Sequence, residues 1–145
     1  MARVSTYLNF NRQTEEAFNF YRSVFGGDFV GGIRRMHEAP TMPDQAPCAA
    51  SDGQLIMHIE LAILGGHVLM GTDAPESMGF QLTRGNNVHI HLEPDSRDET
   101  DRLFAALAPG GSVDLPLQPM FWGDYFGSLT DRFGICWMFN CHAKQ

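Results

Sequence analysis

The sequence predicts an α+β fold built from two tandem βαβββ modules, and three spacings carry that prediction. Within residues 11–27, Ala17, Phe20, Tyr21, Val24 and Phe25 fall at i, i+3, i+4, i+7 and i+8, one apolar stripe on a helix. Adding 83 to those positions gives Thr100, Leu103, Phe104, Leu107 and Ala108, a second stripe of the same design. An offset of 68 then matches Gly66-His67-Val68-Leu69-Met70 to Gly134-Ile135-Cys136-Trp137-Met138. Agreement at both ends of each half points to a duplication, the second half being shorter between its helix and its last strand.

The elements follow in order. A first strand carries Thr6, Leu8 and Phe10, and the first helix is expected over Asn11–Phe25. Glu15 and Glu16 lie in its first turn, where negative charge complements the helix dipole, and Gly26-Gly27 gives a left-handed exit. Asp28–His37 reads as a glycine-interrupted strand and the Pro-rich stretch Ala39–Pro47 as a loop. Gln54–Ala62 alternates as a strand, and Gly66–Gly71 is the fourth. The second module repeats the order with a strand over Asn87–Glu93 and a helix over Arg97–Leu107. That helix opens on the capping box Ser96-Arg97-Asp98-Glu99. Strands at Val113–Met120, Tyr125–Leu129 and Ile135–Asn140 close it. Residues 1–145 thus read as one domain, with module one at about 1–72, a linker at 73–86 and module two at about 87–141.

Composition narrows the partners. A net charge of -7, with no basic cluster beyond Arg34-Arg35, excludes the electrostatic footprint of a nucleic-acid binder. No apolar run approaches the roughly 20 residues of a membrane span. The N-terminal residues run into a strand pattern without a signal region, so a cytoplasmic location is expected. Cys48, Cys136 and Cys141 form no Cys-x-x-Cys pair, and Cys136 alternates with bulky apolar neighbours as a small buried hydrophobe.

Alternation also places candidate side chains. Along residues 88–93, Val88, Ile90 and Leu92 are expected to meet the helix, leaving His89, His91 and Glu93 on the concave face. Met57, Ile59 and Leu61 would likewise face a helix and leave Ile56, His58 and Glu60 opposite. Carrying the 83-residue offset back to the first strand puts Thr6, Leu8 and Phe10 on the concave face. His58, Glu60, His89, His91 and Glu93 are then either polar lining of a wet groove, the favoured reading, or a ligand set for a divalent metal. The aromatic segment Phe121–Gly127, with Trp122 and Tyr125, reads equally as a ligand-gripping loop or as a packed hairpin. His37 and His67 read as surface residues, and His142 as part of the tail.

Several short pieces, taken together and in order, resemble the vicinal oxygen chelate superfamily. They include Tyr7-Leu8-Asn9-Phe10, Glu15-Glu16-Ala17 with Phe20-Tyr21, Val24-Phe25-Gly26-Gly27, Met57-His58-Ile59-Glu60-Leu61 and Leu69-Met70-Gly71-Thr72-Asp73. Pro116-Leu117-Gln118, Phe121-Trp122-Gly123, Phe126-Gly127, and Asp131-Arg132-Phe133-Gly134 with Trp137-Met138 complete them. The nearer resemblance is to the superfamily's PhnB-like branch, often labelled "demethylubiquinone methyltransferase-like". It implies curved mixed sheets with helices outside, a homodimer, and metal ligands on the first and last strand of each module. Those positions hold Thr6, Met70, His89 and Met138, of which only His89 suits a hard divalent ion. The methyltransferase label gains nothing from the residues, since no glycine-rich cofactor loop follows a strand. Two functions follow as expectations. One is a small-molecule-binding homodimer without cofactor, with His58, Glu60, His89, His91, Trp122 and Tyr125 at the ligand. The other is an enzyme using a divalent metal on His89, His58, His91 and Glu60, or using His89 and Glu60 as acid and base.

Overall fold

In a computed structural model, which describes residues 1–40 and 48–142, the chain divides into two units, Met1–Thr83 and Arg84–Gln145. The first contains β1 (Thr6–Phe10), α1 (Thr14–Phe25), β2 (Arg34–Arg35), β3 (Ile56–Ala62) and β4 (Val68–Asp73). The second contains β5 (Ile90–Leu92), α2 (Arg97–Leu107), β6 (Ser112–Pro119), β7 (Tyr125–Thr130) and β8 (Cys136–Cys141). Each is strand, helix, three strands, so the α+β class and the βαβββ order are as predicted. The sheet orders are β1-β4-β3-β2 and β5-β8-β7-β6, and in each the first strand runs parallel to the last. A parallel pair needs a long crossover, and here the helix and two intervening strands supply it.

The helix of each unit covers one face of its own sheet. In the first, Ala17, Phe18, Tyr21 and Val24 are buried where α1 packs on β3 and β4, whose Ile59, Leu61 and Leu69 are buried in turn. Phe18 lies outside the predicted stripe, yet it is fully buried while Phe20 is only half-buried. Its place is made by Gly71: a Cβ there would stand 2.4 Å from Phe18 Cε1. In the second unit, Phe104 packs edge-on to Phe139 with centroids 5.2 Å apart, over a core of Trp137, Leu92, Leu103, Leu107 and Leu129. Burying each such side chain fully contributes about 1.5–3 kcal/mol.

Two buried carboxylates fix the joints. Asp73 Oδ1 accepts from Thr14 N and Oγ1, and its Oδ2 from Ile56 N, which pins the start of α1 and of β3 to the end of β4. Asp131 accepts from the amides of Phe133 and Ile135 and from the indole of buried Trp137, closing the β7–β8 turn. Ser96 accepts from the Glu99 amide as an N-cap.

Several expectations are corrected. Asp28–His37 is not a strand throughout: Gly31 and Gly32 adopt φ of 71° and 74°, and only Arg34–Arg35 and a bridge from Phe29 to Leu61 pair with β3. The first helix begins at Thr14, where Asp73 holds it, rather than at Asn11. β5 is shorter than Asn87–Glu93. Most of the expected loop at 39–47 lies outside the described residues.

Candidate functional site

The face of the first sheet opposite α1 is set by register. Tyr7 stands beside Met70, and Met70 beside Glu60, in one row across β1, β4 and β3. Asn9 stands beside Thr72 in the next row, and His58 stands beside Arg34. Gly71, Leu8 and Ile59 alternate with these residues and face α1. The concave assignment of Leu8 and Phe10 is therefore reversed: both are buried, and Tyr7 and Asn9 take the open side. Ile56 is also misplaced. Arg34 pairs with His58 but Arg35 with Ile56, so β3 carries an extra residue there, and Ile56 is fully buried instead of lying on the open face.

On this face Tyr7, His58 and Glu60 form a continuous chain. The Tyr7 hydroxyl lies 3.1 Å from His58 Nδ1, and His58 Nε2 lies 3.0 Å from Glu60 Oε1. The His58 and Glu60 side chains keep 31% and 19% of their surface, enough for a ligand to reach them. Burial raises the Tyr7 pKa; the Thr72 hydroxyl opposes the rise and the Glu60 charge adds to it, so the phenol keeps its proton at neutral pH. His58 and Glu60 were directly legible in the sequence, but Tyr7 was not. The signal was the apolar pair Leu8 and Phe10, which a sheet covered on one side sends to the helix, leaving Tyr7 outward.

In the second unit, His91, Met138 and Ser128 form one row of the face opposite α2, and Gln118, Phe126 and Asn140 another. His89 is half-buried, one residue before β5. Trp122 is half-exposed and stacks edge-on to Phe126 at 6.2 Å. Tyr125 is placed differently from the expectation. Its hydroxyl donates to Asp101 of α2 at 2.6 Å, and Arg97 lies over its ring at 4.9 Å, so it stands on the helix side. That bond raises its pKa. His142 Nδ1 lies 3.3 Å from Asp124 and its Nε2 3.8 Å from Glu93, which in turn lies 3.9 Å from His91. His67 also has a partner, Thr6 Oγ1 at 2.8 Å.

His58 and Glu60 belong to the first unit, and His89, His91 and Glu93 to the second. Among the described residues, no three His, Cys, Asp or Glu side chains form a group able to hold a metal ion. The donors at the four positions implied by the resemblance do not fit a hard divalent ion either. Met70 and Met138 offer soft thioethers, and Thr6 already shares its hydroxyl with His67. No helix among the described residues is long and apolar enough to cross a membrane.

Comparison with known proteins adds the following. The family model described as 3-demethylubiquinone-9 3-methyltransferase matches residues 2–139. YjdN of Escherichia coli K12 is 27% identical, over 98% of this chain and 97% of its own. The structure of PA1353 from Pseudomonas aeruginosa superposes with a TM-score of 0.82 at 35% identity, covering 99% of this chain and 100% of that one. The PhnB protein of Bacillus cereus gives 0.73 at 26% identity, over 97% and 99%. A glyoxalase/bleomycin resistance protein/dioxygenase family enzyme from Burkholderia phytofirmans, at 20% identity and a TM-score of 0.58, shares the fold, over 94% and 96% of the two chains.

Proposed function

The chain belongs to the 3-demethylubiquinone-9 3-methyltransferase family, PhnB-like proteins of glyoxalase-like fold, and from that premise we propose that it is a cytoplasmic, homodimeric small-molecule-binding protein. The family description does not fix a reaction, because one fold hosts many chemistries and function resides in the site. The observation that carries the reading is the Tyr7–His58–Glu60 chain, a set of hydrogen-bonded, half-buried polar groups on a sheet face that its own helix leaves open. Polar groups converging beside an apolar side chain, here Met70, are the ordinary makings of a ligand site. His91, His89 and Trp122 supply comparable groups in the second unit. A homodimer is supported by the outer strands β1, β2, β5 and β6, which have one neighbour each in their sheets.

This ligand chemistry works without the divalent metal implied by the superfamily, since the donor set at its positions is wrong for one. Mass spectrometry of freshly purified protein under native conditions, beside elemental analysis of wild type, His89→Ala and His58→Ala, tests the reading. A co-purified organic ligand on a dimer, with no stoichiometric metal, is the expected result. A stoichiometric divalent metal lost only in His89→Ala would overturn it. One observation favours a second reading, an acid–base enzyme: Glu60 orients the His58 imidazole as carboxylates orient catalytic histidines elsewhere.

A further inference from the structure

We infer that Tyr7 is a ligand contact of fixed polarity, its phenol oxygen acting as a hydrogen-bond acceptor, so that this face selects small molecules presenting an O–H or N–H beside a flat apolar part. The inference rests on the small-molecule reading and adds the ligand class to it.

The polarity follows from proton counting along the chain. An ionised carboxylate can only accept, so the His58 nitrogen beside Glu60, Nε2 at 3.0 Å, carries a proton. A neutral imidazole has one protonated nitrogen, which leaves Nδ1 bare. Tyr7 lies 3.1 Å from that bare nitrogen and must donate to it. Its only proton is then committed inward, so toward a ligand its oxygen can only accept. The Thr72 hydroxyl, 3.3 Å from the main-chain carbonyls of Ile56 and of Asp73, is also a hydrogen-bond partner of the Tyr7 oxygen and uses one of its lone pairs, leaving the other for a ligand. The Tyr7 residue stays 47% exposed, so it can be reached. Next to it across the strand pair is Met70, a polarizable thioether suited to a ring. Tyr7 is the contact in this scheme; His58 and Glu60 are positioning residues that set which way its proton points.

Phenol and anisole are suitable probes, because they share a ring and differ in the donor. Each is titrated into full-length protein at about pH 8.5, where imidazoles are ordinarily neutral, with ¹⁵N-histidine spectra recorded in parallel. The expected spectrum shows His58 protonated at Nε2 and bare at Nδ1. Phenol is expected to bind about three- to tenfold more tightly than anisole, the worth of one hydrogen bond. Tyr7→Phe should abolish the preference while leaving thermal stability near wild type. Glu60→Gln replaces an obligatory acceptor by an amide that can either accept or donate at Nε2, so the single His58 tautomer should give way to a mixture and the preference should weaken; a purely structural Glu60 would leave the tautomer unchanged. A wild-type His58 protonated at Nδ1, or equal affinity for the two probes, overturns the inference while leaving the small-molecule reading standing. Failure of both probes to perturb the Tyr7 face, in a protein that also carries no co-purified ligand, overturns both.

Discussion

At Gly71 a Cβ would stand 2.4 Å and 2.8 Å from two atoms of the Phe18 ring and 3.1 Å from Thr14 Cγ2. The ring is fully buried and cannot swing aside, so Gly71→Ala forces α1 away from the sheet. Overpacking of this kind costs about 1–3 kcal/mol. Chemical denaturation should show that loss, and Phe18→Leu in the same chain should recover part of it. The same glycine explains why Phe18 was not legible in the sequence. Helical periodicity gives a stripe, but which residues beside the stripe are also buried depends on the relief of the sheet beneath. Tyr7 was legible in principle through Leu8 and Phe10 and was obscured by carrying a helix-derived offset into a strand. Ile56 was not legible at all, because an extra residue in one strand of a pair leaves no mark in the alternation of that strand alone. Tyr125 went the same way: its ring reads as a ligand contact until Asp101 and Arg97 are seen to occupy it.

Among the elements, α2 has the plainest start. Ser96 Oγ accepts from the Glu99 amide at 3.1 Å, and its carbonyl takes the Thr100 hydroxyl. Ser96→Ala removes the side-chain cap and should cost about 1 kcal/mol, read as a lowered unfolding midpoint, whereas Ser96→Asp should retain most of it. Capping and a periodic stripe are local properties, which is why both helices were legible, one of them with its cap. β2 was not, since an extended pattern cannot reveal that Gly31 and Gly32 turn the chain out of the sheet. Asp73 belongs at this scale too. Its carboxylate, rather than any residue of the helix itself, sets Thr14 as the first helical residue, through a bond 59 positions distant in sequence.

Over the whole molecule, the acid limit of stability follows from paired carboxylates. Asp52 is held below its ordinary range by hydrogen bonds from Arg12 and Ser77, Glu15 by Arg35, and Glu99 by Arg102. Groups depressed on folding stabilise above their unfolded pKa, and that stabilisation is lost as pH falls through the folded value. Unfolding free energy should therefore hold down to about pH 5 and fall progressively below about pH 4. Replacing Arg12 and Arg35 by Gln should shallow that fall. A slope unchanged by the double variant would assign acid sensitivity to other carboxylates.

The parallel pairing of β1 with β4 has a consequence in time as well as in space. β4 lies between β1 and β3, and the Asp73 carboxylate at its end joins α1 to β3. During synthesis, residues 6–10 therefore emerge long before the segment 68–73 with which they pair. Until then α1 has no sheet position at Gly71 to receive Phe18, and β3 presents an empty edge where β4 belongs. The first unit is thus completed by its last strand, inserted between two segments already made, so the order of strands across the sheet differs from the order in which they are translated.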